Sequence, residues 1–303
     1  MPERPPTYQD VLREGSGRLA RAGIETARLD AEVLLRHVAG LDRAGLFLRL
    51  PEPVPDGLEA RFNELAERRL HGEPVAYIVG RREFMGLPFR VAPGVLIPRP
   101  ETELLVEWAL ATIAGGSSGT VVDVGTGSGA IAISIAALGS PATRIIATDV
   151  SASALAIARD NAATLLEEAQ RSRIEFRQGS LLKPVDEPVD VLLANLPYLT
   201  PEQVTGNPDL EAEPRLALDG GADGLDLVRD LIADLPRVLA PNGAIGLELD
   251  PSQTGEVAGL LRRSFPDRTI RTIHDLAGLA RHMVMDPEPD RMAATRAATT
   301  RPD

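Results

Sequence analysis

From Thr120 onward the chain alternates short, β-branched apolar runs with helical ones, and that alternation admits few folds. Val121-Val122-Asp123-Val124 reads as a strand, Ala130 to Leu138 as its helix, Arg144 to Asp149 as a second strand and Ser153 to Ala169 as a second helix. Ile174 to Gln178 and Val189 to Ala194 are strands, followed by a helix over Leu225 to Leu239, a strand over Gly243 to Leu249 and a helix from Gln253 to Ser264. Strands separated by helices pair in parallel, because each crossover brings the chain back to the same edge. Two last strands, Thr269 to Ile273 and Arg281 to Met285, are joined by a short turn and pair antiparallel. The expected fold is α/β: a Rossmann-like, mostly parallel seven-stranded sheet with a terminal antiparallel hairpin.

In such sheets ligands bind outside the C-terminal ends of the strands. Asp123-Val124-Gly125-Thr126-Gly127-Ser128-Gly129 joins the first strand to its helix, and its glycines let the backbone turn tightly against a ligand. The spacing Gly125-x-Gly127-x-x-Ala130 also matches a dinucleotide fingerprint. Asp149 ends the second strand, where a carboxylate can accept from both hydroxyls of a ribose. Gln178-Gly179-Ser180-Leu181-Leu182 ends the third strand, with Ser180 placed for an adenine edge and Leu181 for its face. A nicotinamide dinucleotide and S-adenosylmethionine both carry such a nucleoside.

The fourth strand separates the two. Val189 to Ala194 ends on Asn195-Leu196-Pro197-Tyr198. A planar nitrogen has a delocalised lone pair and is a poor nucleophile. The Asn195 side-chain oxygen and the Leu196 carbonyl supply two acceptors for its N–H bonds, which aims the lone pair at a methyl donor. Tyr198 can stack on the flat group, and Pro197 stiffens the turn. As the nitrogen gains positive charge those hydrogen bonds strengthen, so the stabilisation grows toward the transition state. A sulfonium donor already carries an electrophilic methyl, so neither a metal nor a covalent intermediate is required.

Upstream, apolar residues recur at helical spacing over residues 7–72, with Thr26 as an N-cap and Gly40 as a stop. Residues 74–98 change to short β-prone runs punctuated by glycine and read as a hairpin linking two domains. Pro98-Arg99-Pro100-Glu101-Thr102-Glu103 then opens a helix. Two readings of Arg99 stand side by side there, a member of a helix-capping segment and a group placed over the active site. Gly115 to Gly119 reads as a flexible connection. The domains expected are therefore 1–73 (helical bundle), 74–98 (hairpin linker), 99–286 (catalytic domain) and 287–303 (disordered tail).

With these motifs in place, the chain resembles the bacterial N5-glutamine methyltransferases of peptide-chain release factors, the HemK family. The resemblance covers roughly residues 7–286. It rests on Pro74 to Gly80 through Glu83-Phe84 to Leu96-Ile97-Pro98-Arg99-Pro100-Glu101-Thr102-Glu103, on Asp123 to Ala132, and on Asn195 to Tyr198. Glu213-Pro214-x-x-Ala217-Leu218-x-Gly220-Gly221-x-x-Gly224 belongs to it too. The resemblance implies a class I S-adenosylmethionine-dependent methyltransferase, with an N-terminal helical bundle that helps recognise its protein substrate. It implies S-adenosyl-L-methionine held by Gly125, Thr126, Gly127, Ser128, Gly129, Asp149 and Asn195, to which the reading of the third strand's end adds Ser180 and Leu181. The glutamine of the Gly-Gly-Gln loop of class 1 release factors would enter a pocket of Asn195, Leu196, Pro197 and Tyr198, with Arg99 beside it. The family's usual stretch is Asn-Pro-Pro-Tyr, so Leu196 departs from it, and Leu181 stands where some members carry an aromatic residue.

The amide-holding motif fits the exocyclic amine of adenine equally well, so an adenine-N6 methyltransferase acting on nucleic acid is the first rival. A non-catalytic cofactor-binding protein is the second. A net charge of −12 and the lack of a basic recognition segment weigh against a stable nucleic-acid complex. The chain has no cysteine, which excludes disulfides and a thiol nucleophile. No apolar run suits a bilayer, and no secretory leader opens the sequence, so a cytoplasmic location is expected.

Overall fold

The computed structural model describes residues 4–114, 119–207 and 210–287, which fall into two units. The Gly115 to Gly119 connection lies outside the described residues except for Gly119, and so does the 287–303 tail beyond residue 287.

The first unit takes in the chain up to Arg81, together with residues 210–212. Its helices are α1 (Tyr8–Arg21), α2 (Ala27–Ala39), α3 (Arg43–Arg49), α4 (Leu58–Leu70) and the short α5 (Val75–Val79). Thr7 opens α1 in a reciprocal capping box with Asp10, and Asp42 caps α3 through the Gly45 amide at 2.6 Å. Gly40 ends α2 in the left-handed conformation, as its position in the sequence suggests. Thr26 differs from its expected role. Its ψ of 12° is not the extended value of an N-cap, and its side chain makes no capping hydrogen bond. Leu19, Leu34, Leu35, Leu46 and Phe62 are buried together as this unit's core.

The hairpin expected over 74–98 is shorter than predicted. Val75–Val79 is helical: the Tyr77 and Ile78 amides both donate to the Pro74 carbonyl, and Gly80 closes the turn at φ 73°. Ile78 joins the helical core, so packing overrides the β preference of the valines. The hairpin itself is β1 (Arg81–Phe84) and β2 (Leu87–Arg90). Met85 and Gly86, both at positive φ, form its two-residue turn.

In the second unit, α6 (Thr102–Ala114) leads into β3 (Thr120–Val124), α7 (Ala130–Leu138), β4 (Arg144–Asp149) and α8 (Ala152–Leu165). Next come α9 (Glu168–Arg171), β5 (Ile174–Gln178), β6 (Val189–Ala194), α10 (Pro201–Thr205), α11 (Asp226–Val238) and β7 (Leu239–Glu248). The unit ends with α12 (Thr254–Ser264), β8 (Ile270–His274) and β9 (Ala280–Met285). The single helix expected over 153–169 breaks at Leu166, whose backbone is extended.

The seven strands lie in the order β5-β4-β3-β6-β7-β9-β8. Neighbours from β5 to β7 pair in parallel, and β9 runs antiparallel to both β7 and β8. The central strands β3, β4 and β6 are almost wholly buried, as helices on both faces require. The chain builds outward from β3 through β4 to β5 and then returns to place β6 on the other side of β3. That reversal opens a crevice beyond the C-terminal ends of β3 and β6.

Candidate active site

A cleft of about 280 Å³ occupies that crevice. Gly125, Gly127, Asp149, Ser180, Leu181, Asn195, Leu196 and Pro197 all line it. Thr126, Ser128 and Gly129 do not; they shape the loop from behind. The Gly125 and Thr126 amides both donate to the Thr148 carbonyl at 2.9 Å, pinning the loop to β4. Asp123 is fully buried beneath it. Its Oδ2 accepts from Thr126 Oγ1 at 2.6 Å and from the Ala132 amide at 3.2 Å. Burial pushes the Asp123 carboxyl up to about 7, against the lowering pull of those two hydrogen bonds; the nearby Asp149 charge adds to the rise.

Gly129 begins α7 at φ 84°, and a Cβ there would lie 2.7 Å from Ile133 Cδ1 and 3.2 Å from Ala158 Cβ. Gly129→Ala is therefore expected to destabilise the protein by about 1–3 kcal/mol through backbone strain and overpacking. A thermal melt checks this, and an unchanged Tm contradicts it. The Ser128 carbonyl accepts from Nδ2 of the buried Asn161 at 2.8 Å, and Asn161 also exchanges hydrogen bonds with the Arg90 backbone. Asn161 is a support that the sequence did not single out.

Asp149 is held from both sides. Oδ2 accepts from the Gly127 amide at 2.9 Å and Oδ1 from the Ser151 amide at 2.8 Å. Each oxygen keeps a further lone pair for a ligand in the cleft. Leu181 adopts φ 51°, rare for a leucine, and its carbonyl accepts from Thr148 Oγ1 at 3.1 Å.

The strip after β6 is braced equally firmly. Asn195 Nδ2 donates to Oγ1 of the buried Thr102 at 3.0 Å, so the Asn195 oxygen remains as the acceptor. Among the described residues nothing donates to that oxygen or to the Leu196 carbonyl. The Leu196 side chain is buried against the glycine loop; its Cδ2 lies 3.2 Å from where a Gly125 Cβ would stand. Behind the strip, Gln253 Nε2 donates to the Tyr198 carbonyl at 2.8 Å. A Cβ on Gly224 would sit 2.1 Å from that carbonyl oxygen, which explains the glycine in the Gly220-Gly221-x-x-Gly224 segment.

Tyr198 lies outside the cleft lining. Burial holds its hydroxyl well above the usual tyrosine range, and the negative charge of Glu248 adds to this; Arg281 and Arg99 act in the opposite sense. Glu248 itself is buried and faces the buried His282, with 3.5 Å between Oε2 and Nε2. Arg99 also lies outside the cleft lining and forms an ion pair with the buried Glu213. The other Glu213 oxygen accepts from the Ile97 amide at 2.9 Å. Glu213 thus ties the 94–99 loop to the 213–218 segment, and Leu96 and Leu216 on these two stretches both line the cleft.

A seven-stranded sheet of this order, with a glycine loop after its first strand, an acidic residue ending the next and Asn-x-Pro-Tyr after the fourth, defines a class I S-adenosylmethionine-dependent methyltransferase. The family model for the PrmC N-terminal domain matches residues 10–80, and that for ribosomal protein L11 methyltransferase (PrmA) matches residues 99–197. The chain is 41% identical over 274 residues to the release factor glutamine methyltransferase of Moorella thermoacetica, an alignment covering 90% of this chain and 95% of the relative. It is 42% identical over 278 residues to that of Cereibacter sphaeroides, covering 91% and 92%. The chain belongs to the release factor glutamine methyltransferase family. In fold alone it is also similar to the human Mettl16 catalytic domain solved with the MAT2A 3'UTR hairpin 6, at TM-score 0.56 and 16% identity, covering 75% of this chain and 83% of that one.

Proposed function

We propose that the protein methylates the side-chain amide nitrogen of the glutamine in the Gly-Gly-Gln motif of class 1 peptide-chain release factors, in the cytoplasm. The observation that carries this reading is the pair of open acceptors, Asn195 Oδ1 and the Leu196 carbonyl, at the mouth of a cleft built for a nucleoside. The cleft suits S-adenosylmethionine: it joins a glycine loop, the fixed Asp149 carboxylate and the apolar faces of Leu181 and Leu227. Bound there, that cofactor supplies a methyl group already activated on a sulfonium sulfur. Gly125 and Gly127 give it backbone clearance, and Asp149 accepts from its ribose. Asn195 and Leu196 hold the two amide hydrogens of the glutamine, and Tyr198 and Pro197 fix the plane of the group. Arg99 acts at the substrate side through its ion pair with Glu213.

Mass spectrometry of a release factor incubated with the protein and S-adenosylmethionine tests the reading. One methyl on the glutamine of the Gly-Gly-Gln peptide is expected; label on nucleic acid and none on the release factor would overturn it. Asp149→Ala is expected to raise the cofactor Kd by about 10–100-fold, since charge-assisted hydrogen bonds are lost. Calorimetric titration measures this, and an unchanged Kd removes Asp149 from the ribose site.

A further inference from the structure

The large exposed apolar side chains of the methyltransferase unit are not scattered. Among the described residues they are Leu138, Val150, Leu216, Leu276 and Leu279. Leu138 ends α7, at the edge of the sheet away from the cleft. The other four sit on loops at the opposite edge: Val150 after β4, Leu216 after β6, and Leu276 with Leu279 in the turn between β8 and β9. Strand register fixes where that turn lies. Ala194 pairs with Leu247, so Asn195 stands level with Glu248; Glu248 pairs with His282, and His282 with Ile273. Residues 275–279 thus leave the sheet on the same side as Asn195, two to three strands across, roughly 10–15 Å at ordinary strand spacing.

Leu276 is 102% exposed and Leu279 43% exposed. A lone surface leucine needs no explanation. These two are held outward by a braced turn. Asp275 Oδ1 accepts from the Ala277 amide at 2.9 Å and the Leu279 amide at 2.8 Å, and the Asp275 amide donates to the Leu279 carbonyl at 2.8 Å. Asp275 Oδ2 pairs with Arg281 at 3.2 Å. Arg281 in turn lies within electrostatic reach of the Tyr198 hydroxyl and the Glu101 carboxylate, which puts the base of the turn near the Asn195 to Tyr198 strip. The cation at its base is neutralised and its tip is apolar, which suits a protein loop and not a phosphate backbone.

We propose that the β8–β9 turn is a docking surface for the protein substrate, with Leu276 and Leu279 covered by an apolar side chain near the reacting glutamine. The inference rests on the function proposed above, with the release factor as the occupant. The test compares the full-length chain with the double variant Leu276→Ser/Leu279→Ser and with Leu138→Ser, an equally apolar change at the far edge. In the double variant the KM for the release factor rises about tenfold or more, as expected for two uncovered leucines. Its kcat at saturating release factor stays within about twofold, because the lost contacts are made equally in ground and transition states. Its Tm and its Kd for S-adenosylmethionine do not change. An unchanged KM in the double variant overturns the inference, as does an equal rise in Leu138→Ser. A wild-type protein that transfers no methyl to a release factor instead defeats the underlying function. If transfer goes to RNA, and the double variant weakens that reaction, the protein occupant is wrong.

Discussion

Asn195→Ala is expected to lower kcat by about 10²–10³-fold while leaving the cofactor Kd within a factor of about three. The asymmetry follows from the position of the side chain. The residues proposed for the cofactor's nucleoside end, Gly125, Gly127, Asp149 and Leu181, line the cleft from loops other than that of Asn195. In the proposed function the substrate amide is held by Asn195 Oδ1 and the Leu196 carbonyl, so the variant halves its acceptors. The lost hydrogen bond is the one that strengthens as the nitrogen becomes positive, which places the effect on the chemical step. Thr102 Oγ1 loses its partner at the same time. Single-turnover rates at saturating cofactor measure the change. A rate within about fivefold of wild type would remove Asn195 from the transition state.

The second large effect concerns pH. Asp123 has its carboxyl pushed up to about 7 in the folded protein from an ordinary value of 3.8, chiefly by burial. A carboxyl whose pKa is raised on folding favours the native state most when protonated. Its contribution is therefore complete below pH 3.8 and lost as pH rises through about 7. The full span corresponds to about 4 kcal/mol as an upper limit. Asp123→Asn keeps an acceptor for Thr126 and Ala132 but cannot ionise. Between pH 5 and pH 8 (roughly the upper part of that window), Tm is expected to fall further in wild type than in the variant, by several degrees. Parallel curves of Tm against pH would sink this account.

The sheet was legible because buried parallel strands must be continuously apolar and their crossovers helical; β3, β4 and β6 satisfy both. The glycine loop and Asn195 to Pro197 were legible as cleft lining because each sits at a strand end, where the topology makes a crevice; Tyr198 lies outside that lining. What holds those residues in place was not legible. Thr102 reaches Asn195 across 93 positions and Glu213 reaches Ile97 across 116, and no local periodicity encodes such pairs. The buried Glu248 and His282 meet through antiparallel register, which composition does not reveal. Val75–Val79 misled for a different reason: its residue types prefer strands, but its burial is on helices.

Leu196 also has thermodynamic weight. Its side chain rests against Gly125, and its carbonyl is one of the two acceptors proposed for the substrate amide. A single residue of the cleft lining thus lies between the glycine loop and the two open acceptors. Were the proposed cofactor and the proposed substrate both to displace it, the change in affinity would be the same factor in both directions.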